Sequence, residues 1–167
     1  MDMDYFESFD FEISQRFEVF DVDRSKLERG MYVSRIDDDV VTYDLRTRTP
    51  NCGSVMDNSA VHTMVHLFTT YVGASDFKKK VIYFGPNASR TGFVLIVRGM
   101  AHNDAIAITK RIFEFIRDYT GEIPGCDAEG CANYKEHHLD GARKEATLYL
   151  PILNRWSGDL LVYPESM

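Results

Sequence analysis

Cysteine is scarce: Cys52, Cys126 and Cys131 are the three in 167 residues. An odd number without an export signal does not make a disulfide framework, so free thiols in a reducing compartment are expected. Long apolar runs are missing as well. None approaches the roughly 20 residues of a membrane span. Basic charge is in deficit, with 19 Lys and Arg against 26 Asp and Glu and a net charge of −7. No basic stripe with interleaved aromatics occurs, which argues against nucleic acid or anionic lipid as a general partner. The opening MDMDYFESFDFE is acidic and aromatic. It lacks the basic and apolar regions of an export signal, and a cytoplasmic location is expected. Internal repeats and low-complexity segments are absent too.

What remains is enough for one domain with a real core: 44% of residues are hydrophobic and 13% aromatic. Phe17–Val22 alternates like a strand. Met31–Ile36 and Val40–Leu45 read as a hairpin about the Asp37–Asp39 turn cluster. Thr47–Asn58, with Pro50, Asn51 and Gly53, is a loop. Ser59 is placed to cap a helix that Gly73 ends. Lys80–Phe84 and Gly92–Val97 read as strands around the loop Gly85–Arg90. A second helix, capped by Asn103 or Asp104 and ended by Gly121, shows an apolar face of Ile108, Ile112, Phe115, Ile116 and Tyr119. Ile123–Cys131 is a loop. Asp140 starts a third helix, bounded by Pro151 near Leu150. Early hairpin-linked strands with later helices predict an α+β fold, an antiparallel sheet with helices on one face.

The chemistry concentrates in Val61–Leu67, VHTMVHL. His62 and His66 are four apart in an apolar run, so a helix would place both imidazoles on one face, one turn apart. Two such nitrogens suit a divalent metal. A third ligand is needed. Cys131, flanked by Gly130 and Ala132, is one candidate, and Cys126 is a rival that spacing does not exclude. A His2Cys set with one open position is a catalytic geometry and would suit zinc or ferrous iron. Glu129 is near Cys131, and His137 or His138 could approach the metal, but each reads first as a surface residue or a support for the ligands.

Four blocks, taken in order, resemble the S-ribosylhomocysteine lyase (LuxS) family. Thr42-Tyr43-Asp44-Leu45-Arg46 through Pro50-Asn51 is similar to KYDIRxxxPN, and His62-Thr63-Met64-Val65-His66 to HTxEH. Gly85-Pro86-Asn87-Ala88-Ser89-Arg90-Thr91-Gly92-Phe93 is similar to SPMGCxTGF, and Gly130-Cys131-Ala132-Asn133-Tyr134 through His137 and Leu139 to ECGNYxxHxL. The resemblance implies a metal-binding domain over residues 17–150, with extensions at 1–16 and 151–167. It implies an antiparallel sheet packed against helices and a homodimer with sites at the interface. It also implies a divalent metal, iron in the family's native enzymes, on His62, His66 and Cys131. The family cleaves the thioether of S-ribosylhomocysteine by β-elimination and yields the precursor of autoinducer-2, a quorum-sensing signal.

Departures fall on the residues that move protons. The glutamate of HTxEH is Val65, which cannot accept a proton. The cysteine of the second block is Ser89, a far weaker acid than a thiol with its pKa near ~8.5. Among the positions implied to touch substrate, Arg46 is kept, the family's aspartate is Tyr83, its N-terminal histidine is Arg24 and a nearby serine is Val19. General acid–base groups contribute about 10²–10⁴-fold each, so a metal-binding protein with a small-molecule site and lost or strongly reduced lyase activity is expected. The alternatives are a metal-dependent enzyme of changed chemistry on a related sugar or thioether, and a non-catalytic interaction protein on the same fold.

Overall fold

The computed structural model describes residues 22–164. The expected N-terminal extension, Val19 and all of the expected first strand but Val22 lie outside the described residues. Four strands form one antiparallel sheet: β1 (Gly30–Asp37), β2 (Val40–Arg46), β3 (Val81–Pro86) and β4 (Gly92–Arg98), in the order β1-β2-β4-β3. Asp38, at φ 53°, turns the first hairpin where the Asp cluster placed it. Three helices follow the chain as α1 (Asn58–Gly73), α2 (His102–Asp118) and α3 (Leu139–Leu153).

Strand alternation decides the layers. Met31 faces Leu45 across β1 and β2, and Leu45 faces Phe93 across β2 and β4. With Val41, Tyr43, Leu95 and Val97 these side chains form the buried face. The helices pack on it, through Phe68 stacked on Phe84 at 3.7 Å and Phe113 edge-on to Phe93 at 6.3 Å. Thr42, Asp44 and Arg46 point to the opposite face. The fold is thus α+β, with helices on one side of the sheet.

Helix ends differ from the sequence expectation in instructive ways. Asp57, not Ser59, caps α1, accepting the N–H groups of Ser59 and Ala60 at 3.1 and 3.3 Å. The Ser59 side chain, then the Ala60 N–H, holds the Asp57 carboxyl below its usual range. Neither Asn103 nor Asp104 caps α2, which begins at His102 after Ala101. Its first turn is fastened to the sheet by a 2.6 Å hydrogen bond between the Tyr43 hydroxyl and His102 Nδ1, and Asp104 sits inside that turn, favoured by the helix dipole. The helix stops at Asp118, and Tyr119 is extended rather than helical. α3 starts after His138 and runs through Pro151 to Leu153, not to Leu150. Leu150 and Leu153 are both buried, and that burial offsets the one hydrogen bond Pro151 removes. β3 extends to Pro86, which an edge strand tolerates.

The stretch after α3 is packed on the domain. Leu161 is buried, and its carbonyl accepts the Val33 N–H at 2.7 Å. Trp156 Nε1 donates to the Met31 carbonyl at 2.5 Å, and Tyr163 stacks on Tyr32 at 4.9 Å. Among the described residues, no helix is long and apolar enough to cross a membrane.

Candidate metal centre

Helix α1 brings His62 and His66 together as the four-residue spacing requires, with ring centroids 4.8 Å apart. Both are half-buried between the helix and the loop before α3. Each imidazole is held by its far nitrogen. His62 Nδ1–H donates to the Glu136 carbonyl at 2.8 Å, and His66 Nδ1–H donates to the Pro124 carbonyl at 2.9 Å. Carbonyls only accept, so in both neutral rings the proton is on Nδ1 and the Nε2 lone pair is free to bind a cation.

The loop between α2 and α3 delivers the thiol. Asp127 Oδ1 accepts the N–H groups of Glu129 at 3.0 Å and Gly130 at 2.6 Å, and the Cys131 N–H bonds back to the Asp127 carbonyl at 3.0 Å. Gly130 is required here, because a Cβ would come within 2.9 Å of the Gly125 backbone. The turn sets Cys131 Sγ 3.3 Å from His62 Nε2, and the Asn133 N–H points at the same sulfur at 3.4 Å. Cys126 is turned elsewhere, with its thiol directed at the Tyr134 carbonyl. The geometry therefore joins Cys131, and not Cys126, to the two histidines.

A fourth donor is present. One ligand atom from each of His62, His66, Cys131 and His137 lies within 4.8 Å of every other. His137, read from the sequence as a surface or supporting residue that could approach the metal, thus stands beside the other three. The available signal was its spacing of six from Cys131, which alone does not say that the intervening turn closes back onto α1. Burial first, then repulsion from His62 and His66 when these are charged, lowers the His137 pKa, with Glu136 opposing. His138 is exposed at the start of α3, and Glu129 is exposed in the loop. The donor set fits a divalent metal, with imidazoles and one thiol grouped at one point.

Val65 lies on α1 between the two histidines and packs against the core. Ser89 is exposed in the β3–β4 loop, and its hydroxyl bonds to Thr91 Oγ1 at 2.7 Å and Asn87 Oδ1 at 3.1 Å. Neither partner is a base. Arg46, Ser89 and Arg24 line one cavity of about 400 Å³, with Asp44, Thr91 and Tyr163 among its other walls. Arg46 is buried, paired with Asp44 at 2.7 Å and bonded to Thr91 Oγ1 at 2.6 Å. Its Nε is buried without a partner among the described residues. The Tyr163 hydroxyl donates to Asp44 at 2.8 Å, and burial, then the Asp44 charge, push its pKa up. Tyr83 is exposed on β3 and does not line this cavity, nor do the four donors.

Comparison with known proteins agrees with this geometry. Residues 17–158 match the family model for S-ribosylhomocysteinase (LuxS). The S-ribosylhomocysteine lyase of Finegoldia magna is 39% identical over 155 residues, covering 90% of this chain and 99% of that protein. The corresponding lyase of Borreliella burgdorferi is 38% identical over 151 residues, 87% of this chain and 96% of its own length. That of Clostridium acetobutylicum is 38% identical over 157 residues, 90% and 99% respectively. With the family match and the His–Cys cluster together, the chain belongs to the S-ribosylhomocysteinase (LuxS) family.

Proposed function

We propose that this protein keeps the family's metal centre and has lost, or nearly lost, the lyase reaction. The observation that carries the reading is Val65, between the two donor histidines on α1, where the family pattern has glutamate. A hydrocarbon at that position accepts no proton. The second family position is Ser89, whose hydroxyl is bonded to Thr91 and Asn87 rather than to a base that could activate it. A bound divalent cation would supply a Lewis acid for a sugar carbonyl. The chain's own residues supply binding but no proton relay. Arg46, whose buried Nε has no partner among the described residues, suits a polar or anionic ligand group in the cavity.

Iron(II) or zinc is the expected metal, by the imidazole and thiol donors. A homodimer in the cytoplasm is the expected assembly. The cavity and the donors are separate in one chain, and a partner placing its cavity over the donors would join them. Without turnover the protein contributes no autoinducer-2 precursor. Its role is then that of a metal and small-molecule binder.

The test is homocysteine release from S-ribosylhomocysteine, followed with a thiol reagent, on iron-loaded protein with a chelated control. No release above the control is expected from the native chain. Val65→Glu combined with Ser89→Cys is expected to give trace turnover at most, because Tyr83 and Arg24 also differ from the family and a misplacement of about 1 Å costs on the order of 100-fold. Robust release by the native protein overturns the reading.

A further inference from the structure

The family match ends at residue 158, and the residues on either side of that point pack onto β1. The Trp156 indole lies against Gly30, where a Cβ would come within 2.2 Å of the ring, and it meets Tyr32 edge-on at 5.4 Å. Leu161 is buried and Val162 exposed, and Tyr163 turns back in to stack on Tyr32 at 4.9 Å. Tyr32 stands opposite Asp44 across β1 and β2, so this stack carries the Tyr163 hydroxyl to the Asp44 carboxylate. There one oxygen, Asp44 Oδ2, accepts from Arg46 Nη2 at 2.7 Å and from Tyr163 at 2.8 Å. Tyr163 is at the same time a wall of the cavity that Arg46 lines. A phenol that has given its proton to a carboxylate keeps only lone pairs, so toward the cavity it is an acceptor. Arg46, bonded to the same oxygen, keeps a donor, its Nε, without a partner among the described residues.

From this we propose that Tyr163 is a ligand-binding residue of the Arg46 cavity. The segment beyond the family match completes the site: it holds the Asp44–Arg46 pair in place and accepts a hydrogen bond from a hydroxyl or ammonium of a small polar molecule. The proposal rests on the reading that this cavity takes a small molecule, and not on whether the lyase reaction survives. Charge argues for more than packing. Asp44 and Arg46 are buried on the sheet face away from the helices. Buried charges are costly unless they are paired and hydrogen-bonded. An apolar side chain at position 163 would cover the pair equally well. A phenol aimed at the carboxylate covers it, supplies a second bond to Oδ2 and leaves an oxygen on the cavity wall.

Calorimetric titration of the full, zinc-loaded chain with S-ribosylhomocysteine tests this. Tyr163→Phe keeps the ring on Tyr32 and removes the hydroxyl. Its binding should be about 10-fold weaker than native, the worth of one hydrogen bond to a charged group. Tyr163→Ala removes the wall as well and should weaken binding by about a further 10-fold. Zinc affinity should stay native in both variants, since Tyr163 is not among the four donors. Native ligand affinity in Tyr163→Phe overturns the proposal and leaves the lost-lyase reading standing. Weakening that comes with lost zinc affinity overturns it too, as does a native chain that binds no S-ribosylhomocysteine. Homocysteine release by the native chain overturns the lost-lyase reading instead. The comparison is then made on turnover: Tyr163→Phe should raise KM about 10-fold at unchanged kcat, and an unchanged KM overturns the proposal. Tyr163→Phe decides by itself, whether or not Tyr163→Ala folds.

Discussion

Thr63 is the residue on which most of the centre's order converges. It is fully buried, and its hydroxyl serves the Ser59 carbonyl, the His138 N–H and His137 at once. Thr63→Val keeps the shape and removes all three bonds. Groups that orient ligands are worth about 10–100-fold in metal affinity. Zinc binding weakened by that factor is expected, measured by competition with a chromophoric chelator. Unchanged affinity would mean that zinc binding does not depend on the Thr63 bonds. Cys131→Ser should do more, since it removes the thiol that the Asp127 turn aims at His62. Retention of native zinc affinity by Cys131→Ser would count against sulfur as a ligand.

At the scale of elements, the β2–β4 pairing holds the cavity together. Gly92 sits opposite Arg46, and a Cβ there would lie 2.3 Å from the Leu45 carbonyl oxygen. Backbone is the obstacle, so the strand itself must move. Gly92→Ala is expected to destabilise the fold by about 1–3 kcal/mol, the usual cost of overpacking, read from urea unfolding. It should also disturb Thr91 and so loosen Arg46. A variant as stable as the native chain would show that the pairing at this end is dispensable. The same sheet meets α3 through the buried Tyr149 hydroxyl, which donates to the Gly30 carbonyl at 2.7 Å. Tyr149→Phe leaves that carbonyl short of a partner and should cost about 1 kcal/mol.

For the molecule as a whole, two measurements follow. Light scattering at micromolar concentration is expected to report a homodimer. Ile36, Ile82 and Val162 are each about half or more exposed in a single copy, and apolar surface of that kind favours association. A monomer would remove the partner needed to bring cavity and donors together. The second measurement is alkaline stability. Burial pushes Tyr32 and Tyr43 up to about 12, and Tyr149 also lies well above its ordinary value. Below about pH 10 both folded and unfolded chains keep these phenol protons. Between about 10 and 12 the unfolded chain sheds them first, so it is stabilised and the fold loses stability as pH rises. The melting temperature should fall across that window. A melting temperature that holds constant from about pH 10 to 12 would contradict it.

Local sequence signals determined a good part of this protein. The Asp37–Asp39 turn cluster marked the hairpin of β1 and β2, and the apolar run Gly92–Val97 marked β4, because turn residues and strand-length buried runs act locally. The four-residue spacing of His62 and His66 gave their common face, because a helix has only one way to display it. Capping was less legible. Asp57 and Ser59 are both good caps, and only the packing of Val61 and Met64 into the core selects where the first turn begins. Pro151 inside α3 shows the same rule, with buried leucines on either side overriding a local stop signal. The choice of Cys131 over Cys126, and the arrival of His137, belonged to tertiary structure. Both depend on how the 123–138 loop folds back over α1 through Asp127, Gly130 and Thr63, and such long-range closure leaves no periodic trace in the chain. The separation of the Arg46 cavity from the donors is likewise a property of the assembled layers: one lies largely on the open face of the sheet, the other at the end of a helix and its loop.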